Sequence, residues 1–341
     1  MAARERVHKA TQAHDTTMVN PSQPTLVLVP GSWHRATCYN KITEILQGRY
    51  KLKCIQVTLP STTGDPEATF KNDVDAAQDA ISTETHAGRN VVVVAHSYGG
   101  LVGNSAIKGF APSHDPSLGI SFQSTPTTGQ VIGLILIASG YALTGVAFMD
   151  PFFGHPPPAW RVNKETGFAE IVLPPRQFFY HDLPEDEAEY WASQLTPHSL
   201  KSLFEGGEFA YSGFRDVPSW YIGTIEDQGL PVAAQRMTVA MAREMGASVE
   251  HRELPTSHSP FLSRPEETVE IMVEAVEAFA GKSVAEDGSK TRASGKDVVV
   301  PEVRLWKPVT WYRFGLPFLL GRFLGRCVLL FQWSKRLWRS K

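Results

Sequence analysis

The run Val91-Val92-Val93-Val94, followed by Ala95-His96-Ser97-Tyr98-Gly99-Gly100, constrains this chain more than any other segment. Four β-branched residues in succession are the pattern of a strand buried on both faces, which implies a parallel sheet covered by helices. Leu101-Val102-Gly103-Asn104-Ser105-Ala106-Ile107 then reads as the start of a helix. A serine between strand and helix, flanked by small residues, is the G-x-S-x-G pattern of a nucleophile elbow, with Ala95 in the first small position. The turn is so tight that the residues two before and two after the serine nearly touch, so neither can be large. The hydroxyl then stands above the sheet, with a helix N-terminus aimed at the reacting centre. An ordinary Ser/Gly turn has the same local look, and the rest of the chain separates the two readings.

Such a serine needs a base, and the base needs an orienting acid, in the chain order Ser, Asp/Glu, His. Ser219-Trp220-Tyr221-Ile222-Gly223 reads as a short strand running into Thr224-Ile225-Glu226-Asp227-Gln228-Gly229-Leu230-Pro231, where the proline suits a helix start. Asp227 falls just past the carboxyl end of that strand, where open α/β sheets keep their active residues. Glu226 is adjacent. Side chains one apart on a loop diverge, so only one of the two should reach the histidine, and Asp227 is the expected acid. Residues 248–254 form a further strand candidate, and His258 lies on the loop after it, before a helix beginning near Pro265. Among 11 histidines, strand, order and spacing together select His258. His251, inside the strand, is expected to be structural, and His96 to pack beside the elbow. Thr25-Leu26-Val27-Leu28-Val29 is an apolar strand, and Pro30-Gly31-Ser32-Trp33-His34 is the turn after it. That loop and the residue after the nucleophile would supply two oxyanion donors, the backbone N–H groups of Ser32 and Tyr98.

These segments together resemble the α/β-hydrolase superfamily, in particular the branch of hydroxynitrile lyases, plant methyl esterases and microbial secondary-metabolism esterases. Val29-Pro30-Gly31-Ser32-Trp33-His34, Ala95-His96-Ser97-Tyr98-Gly99-Gly100 and Ser257-His258-Ser259-Pro260-Phe261-Leu262-Ser263-Arg264-Pro265 carry the resemblance. Phe178-Phe179-Tyr180-His181-Asp182-Leu183-Pro184 is similar to a cap segment of the microbial members. The likeness spans residues 25–281 and implies Ser97, Asp227 and His258 as the triad. Two positions depart from the pattern: Pro30 stands where a histidine is usual, and Ala95 where a glycine is.

Strands are expected near residues 25–29, 53–57, 91–95, 131–138, 219–223 and 248–254, and helices near 35–47, 69–86, 99–108, 232–245 and 265–280. This alternation implies a mostly parallel, doubly wound sheet. Residues 25–142 and 216–281 form the expected core, with a helical cap insertion at 143–215. A Ser/Pro/Thr/Gly-rich stretch between 109 and 130 reads as an exposed loop. Residues 142–215 hold 14 of the 35 aromatics. A cap over Ser97 also roofs the pocket, so part of this aromatic content should line it and select an apolar or aromatic acyl substrate of moderate size.

Three cysteines, far apart and odd in number, argue against a disulfide framework and for a reducing compartment. Residues 1–24 are polar, without an apolar signal core, and are expected to be loosely ordered and intracellular. No metal motif or phosphate-binding glycine loop is evident, so neither metal nor cofactor is expected. Charge is uneven. Residues 303–341 hold nine Lys/Arg and no acid, while the 302 residues before them hold 24 basic and 35 acidic. The acidic body argues against nucleic acid as a partner. The tail also carries Trp306, Trp311, Trp333 and Trp338, after a polar, linker-like stretch within 282–302. A basic, Trp-rich, apolar tail suggests a helix on a membrane surface, ordered there despite Gly315, Gly321, Gly325 and Pro317. Docking on the acidic body is the alternative. The overall expectation is a serine esterase or thioesterase acting on a small molecule. A lyase, C–C cleaving or cyclising reaction on the same site, and a hydrolase-fold small-molecule receptor, stay open.

Overall fold

The apolar runs become the strands of one six-stranded sheet in the computed structural model, which describes residues 23–115, 120–122, 128–284, 297–304 and 306–339. Its strands are β1 Thr25–Val29, β2 Cys54–Gln56, β3 Val91–His96, β6 Val131–Ile137, β10 Ser219–Thr224 and β11 Val249–Leu254. All pairings in it are parallel, in the order β11-β10-β6-β3-β1-β2. Every residue of β1, β3 and β10 is buried, as continuous apolar runs between helix layers require. The helices of the body are α1 Asn40–Gly48, α2 Phe70–His86, α3 Gly99–Ala106, α7 Val232–Glu244, α8 Pro260–Ser263 and α9 Pro265–Ala280. A capping box from Thr69 to Asn72 starts α2. The fold is α/β, a mostly parallel sheet flanked by helices.

Strand order places the chemistry. From β1 the chain moves outward to β2, then returns to β3 on the other side of β1. The loops after β1 and β3 therefore leave in opposite directions, opening a crevice at the carboxyl ends of the strands. Among the described residues, three of the five non-glycine residues with positive φ sit at such strand ends: Trp33 (61°) after β1, Ser97 (52°) after β3 and Ala138 (45°) after β6. This conformation costs of order 1–3 kcal/mol per residue and is held only by surrounding structure.

Between β6 and β10 the chain leaves the alternation. It forms a three-stranded antiparallel sheet of β7 Trp160–Asn163, β8 Phe168–Ile171 and β9 His198–Ser199, with α4 Pro175–Phe179, α5 Glu185–Ser193 and α6 Leu200–Phe204. The stretch expected to be an exposed loop instead contains an antiparallel pair, β4 Ser113–Asp115 and β5 Ile120–Phe122. Residues 116–119 and 123–127 of that loop, and 1–22 of the expected N-terminal extension, lie outside the described residues.

The C-terminal segment differs most from expectation. Of the linker, residues 285–296 lie outside the described residues, but Val299 pairs with Glu253 through two 2.8 Å backbone hydrogen bonds on the open edge of β11. After α10 Pro308–Thr310 comes α11 Leu316–Arg339, packed along α7. The glycines expected to weaken this helix are its contact points. A Cβ at Gly321 would fall 2.2 Å from the Met237 carbonyl oxygen, and one at Gly325 2.9 Å from Glu244 Cβ. A single sequence shows the helix-propensity cost of glycine but not the close approach it permits. Arg236, in a buried bidentate pair with Glu253 (2.7 Å each), also donates to the Arg313 carbonyl at 2.9 Å and stacks on Phe314. The tail thus takes the alternative arrangement, docked on the body.

Candidate active site

Ser97 follows β3 and is partly exposed. Its N–H donates to the Ile137 carbonyl (3.1 Å), and its own carbonyl accepts from the Ser139 hydroxyl (2.6 Å), so the strained residue is tied on both sides. Two residues on, a Cβ at Gly99 would lie 2.3 Å from the Pro30 carbonyl oxygen, which only glycine permits. Two residues before, Ala95 is accommodated because α3 presents Gly103 to it; a Cβ there would meet the Ala95 methyl at 2.9 Å. This local exchange explains how alanine serves in the first elbow position.

Asp227 and His258 come together. Thirty-one positions apart in sequence, His258 Nδ1 lies 2.7 Å from Asp227 Oδ2, both side chains buried. A carboxylate only accepts, so the imidazole proton is on Nδ1, leaving Nε2 as the basic nitrogen. Asp227 is saturated with donors: Oδ2 also accepts from the Thr224 hydroxyl (2.7 Å) and Gln235 Nε2 (3.1 Å), and Oδ1 from the Gly229 and Leu230 N–H groups (2.7 Å each). Burial acts to raise its pKa, but the neighbouring His258 and these hydrogen bonds outweigh it and hold the carboxyl below its usual value. Glu226 is exposed, its carbonyl accepting from His181 Nε2 at 2.9 Å. Of the two adjacent carboxylates, Asp227 is therefore the one that reaches the histidine.

The His258 ring packs 4.6 Å from that of His96, the residue before Ser97. His96 Nε2 donates to the His258 carbonyl (2.9 Å), which leaves Nδ1 a buried lone pair without a partner among the described residues. Burial, then the nearby His258 and His34, push His96 well below the ordinary histidine range, so it stays neutral. Gly31 adjoins this corner: a Cβ on it would sit 3.0 Å from Ser97 Cβ and 2.9 Å from His96 Nδ1. The loop after β1 thus lies against the serine. Among the described residues, neither the Ser32 nor the Tyr98 backbone N–H donates to a protein acceptor. His34 holds the Ser32 carbonyl through Nδ1–H (2.7 Å) and accepts the Tyr180 hydroxyl at Nε2 (2.9 Å). Burial chiefly, and His258 to a lesser extent, lower the His34 pKa to about 4 against the Ser32 hydrogen bond, matching a neutral ring with those two bonds.

Sequence reading missed the brace around these loops. Consecutive residues of the insertion reach all three. Tyr180 holds the β1 loop through His34, and His181 the acid loop through the Glu226 carbonyl. Asp182 Oδ2 accepts from the Ser257 N–H (2.9 Å), and the Phe179 carbonyl from the Ser257 hydroxyl (2.8 Å), securing the histidine loop. The segment stood out only through its resemblance to a known cap. Gln235 and Thr224 carried no signal at all. Phe179 packs 5.7 Å from the His258 ring and 6.1 Å from Trp33, which lies 6.0 Å from Trp160, a buried aromatic cluster next to the histidine. Beyond His34 and Tyr180, a small cleft is lined also by Cys38, Trp191 and Leu195; the three residues Ser97, Asp227 and His258 do not line it. Among the described residues no group of three His, Cys, Asp or Glu side chains is placed to hold a metal ion.

Comparison with known proteins agrees with this architecture. Residues 26–271 match the model of the alpha/beta hydrolase family. The chain is 23% identical over 265 residues to an alpha/beta hydrolase of Aspergillus novofumigatus, nvfD, covering 77% of this chain and 98% of that protein. Among solved structures, it is similar to polyneuridine aldehyde esterase (20% identity, TM-score 0.57, 74% of this chain and 99% of that one). It is similar also to a methylesterase from Arabidopsis (19% identity, TM-score 0.57, 75% and 99%).

Proposed function

We propose that this chain, which belongs to the alpha/beta hydrolase family, cleaves an ester or thioester of a moderately sized apolar or aromatic substrate through an acyl-enzyme on Ser97. The observation that carries the reading is the buried His258–Asp227 hydrogen bond, with the His258 ring packed 4.6 Å from His96, the residue before a serine held at φ 52°. Ser97 Oγ attacks the carbonyl carbon, and His258 Nε2 takes its proton. The carbonyl electron pair moves to oxygen, where the Ser32 and Tyr98 N–H groups donate to the oxyanion. Collapse expels the alcohol or thiol, which receives the proton from His258. Water then repeats the sequence on the acyl-enzyme and releases the acid. Asp227 holds the tautomer and stabilises the imidazolium that forms in each half. The esterases among the similar structures support an ester as substrate class. The aromatic cluster of Trp33, Trp160 and Phe179 next to His258 supports an apolar acyl or alcohol group.

A fluorophosphonate probe is expected to label the native chain once, at Ser97, and hydrolysis in ¹⁸O-water to place one solvent oxygen in the acid product. Persistent labelling of Ser97→Ala would remove the nucleophile assignment. Product without solvent oxygen would replace hydrolysis by a lyase or cyclising reaction.

A further inference from the structure

The helix α11 touches the body along one narrow stripe. Pro317, Gly321 and Gly325 are buried at the spacing of one helix face, continuing from buried Phe314 in the turn before it, and Val328 and Leu329 are half-buried against the core. The opposite face is apolar and exposed: Leu316, Leu319, Leu320, Phe323 and Leu330 all face outward, Phe323 at 65% and Leu330 at 64%. At 24 residues the helix is about 36 Å long, so this is a continuous ridge rather than scattered surface residues. Exposed Trp306 and Trp333 lie near its two ends. Lys307, Arg313 and Arg322 are exposed beside it, and no acid occurs anywhere in residues 303–341.

We propose that this ridge is a docking surface for an anionic bilayer, with α11 lying in the membrane plane as a rigid part of the enzyme. The chemistry fits that occupant on three counts. The apolar face would enter the acyl boundary, the tryptophans suit the headgroup level, and the cations attract anionic lipid, each adding about fivefold to partitioning when near the surface. A second copy of the chain fits poorly. A two-fold contact would set Arg313 and Arg322 against a ridge that carries the same cations and no carboxylate. Spanning fits poorly too, although residues 308–334 have the length and apolar composition for it. Insertion would strip α11 from α7, breaking the Arg326–Glu244 pair (2.8 Å) and the Arg236 bond to the Arg313 carbonyl. Because α11 is fixed to α7, and α7 begins just after the Asp227 loop, docking orients the whole body on the surface. A tail on a free linker would not.

The test is flotation of the full chain with vesicles of phosphatidylcholine containing 30% phosphatidylserine, and with phosphatidylcholine alone. The native chain is expected to float with the anionic vesicles and at least tenfold less with the neutral ones. The variant L319E/F323E, altered only on the outward face, is expected to stay unbound while keeping its helical circular dichroism and thermal midpoint. R313E/R322E is expected to lose the preference for anionic lipid. Absence of flotation, or equal flotation of L319E/F323E, overturns the proposal. So does a native dimer that L319E/F323E converts to monomer, which would make the ridge an interface between copies. Resistance of the bound chain to alkaline carbonate would make α11 a spanning helix and overturn it as well.

Discussion

Replacing Asp227 with asparagine alters hydrogen-bond polarity in a site whose shape it preserves. The native carboxylate accepts five hydrogen bonds, two on Oδ1 and three on Oδ2. The Gly229 and Leu230 N–H groups demand an oxygen, so asparagine keeps its carbonyl there and turns its NH₂ toward Thr224, Gln235 and His258. The Thr224 hydroxyl can accept in return. Gln235 Nε2 and His258 Nδ1–H cannot, because each is a donor facing a donor. The imidazole relieves the conflict by moving its proton to Nε2, which then has no lone pair to receive the Ser97 proton. The same substitution in a serine protease triad lowers turnover about 10⁴-fold, equivalent to about 5 kcal/mol of transition-state stabilisation at 1.36 kcal/mol per decade. Gln235 Nε2 keeps the Thr224 hydroxyl (2.8 Å) and the Leu230 carbonyl (2.7 Å) as acceptors, so the cost in stability comes from exchanging charge-assisted for neutral hydrogen bonds, about 1–2 kcal/mol. The assay is kcat and KM on a chromogenic acyl ester, with the thermal midpoint measured in parallel. Asp227→Asn is expected to lose about four decades in kcat with little change in KM, and to melt a few degrees lower. Glu226→Gln, altered at an exposed side chain, is expected to retain full turnover. Turnover of Asp227→Asn within tenfold of native, or a large loss in Glu226→Gln, would refute the tautomer argument and the choice of carboxylate.

Asp182→Ala removes the acceptor of the Ser257 N–H and loosens the loop carrying His258; kcat is expected to fall about 10–100-fold with KM little changed. Asp182→Asn, which keeps an acceptor oxygen, should restore most of it, and failure of that rescue would leave the residue a merely structural role. Beneath the elbow, Asp73 accepts from the Tyr98 hydroxyl (2.7 Å), and burial raises its pKa from 3.8 to about 6 against the hydrogen bonds from Ser61 and Tyr98. Its contribution to stability is complete below about pH 4 and is lost as pH rises through about 6. Asp73→Asn should therefore gain on the native protein between pH 4 and 7 in thermal melts, by up to about 3 kcal/mol; parallel pH profiles would contradict this.

The valine run and the flanking strands were legible in the sequence because buried parallel strands announce themselves by composition. β1 and α9 match their expected bounds residue for residue, and the other expected elements differ by a few residues at their ends. The elbow was legible because its tight turn restricts residue types within five positions. The strand-end loops that carry Ser97, Asp227 and His258 were legible because the alternation of strands and helices locates them.

Tertiary structure alone decided what depends on contacts distant in sequence. The strand-end position already favoured Asp227 over Glu226, but the reason it faces His258 is tertiary: the loop after β10 is wound around the Asp227 carboxylate by Thr224, Gln235 and two backbone N–H groups. The brace from Tyr180, His181 and Asp182 joins residues 45 to 146 positions apart, and no periodicity encodes such pairings. The C-terminal helix shows the limit most sharply. Sequence established that residues 303–341 are basic, apolar and rich in tryptophan. It could not show that Gly321 and Gly325 are contact points, because a glycine's helix-weakening entropy is a property of the residue, whereas the close approach it permits is a property of the helix facing it.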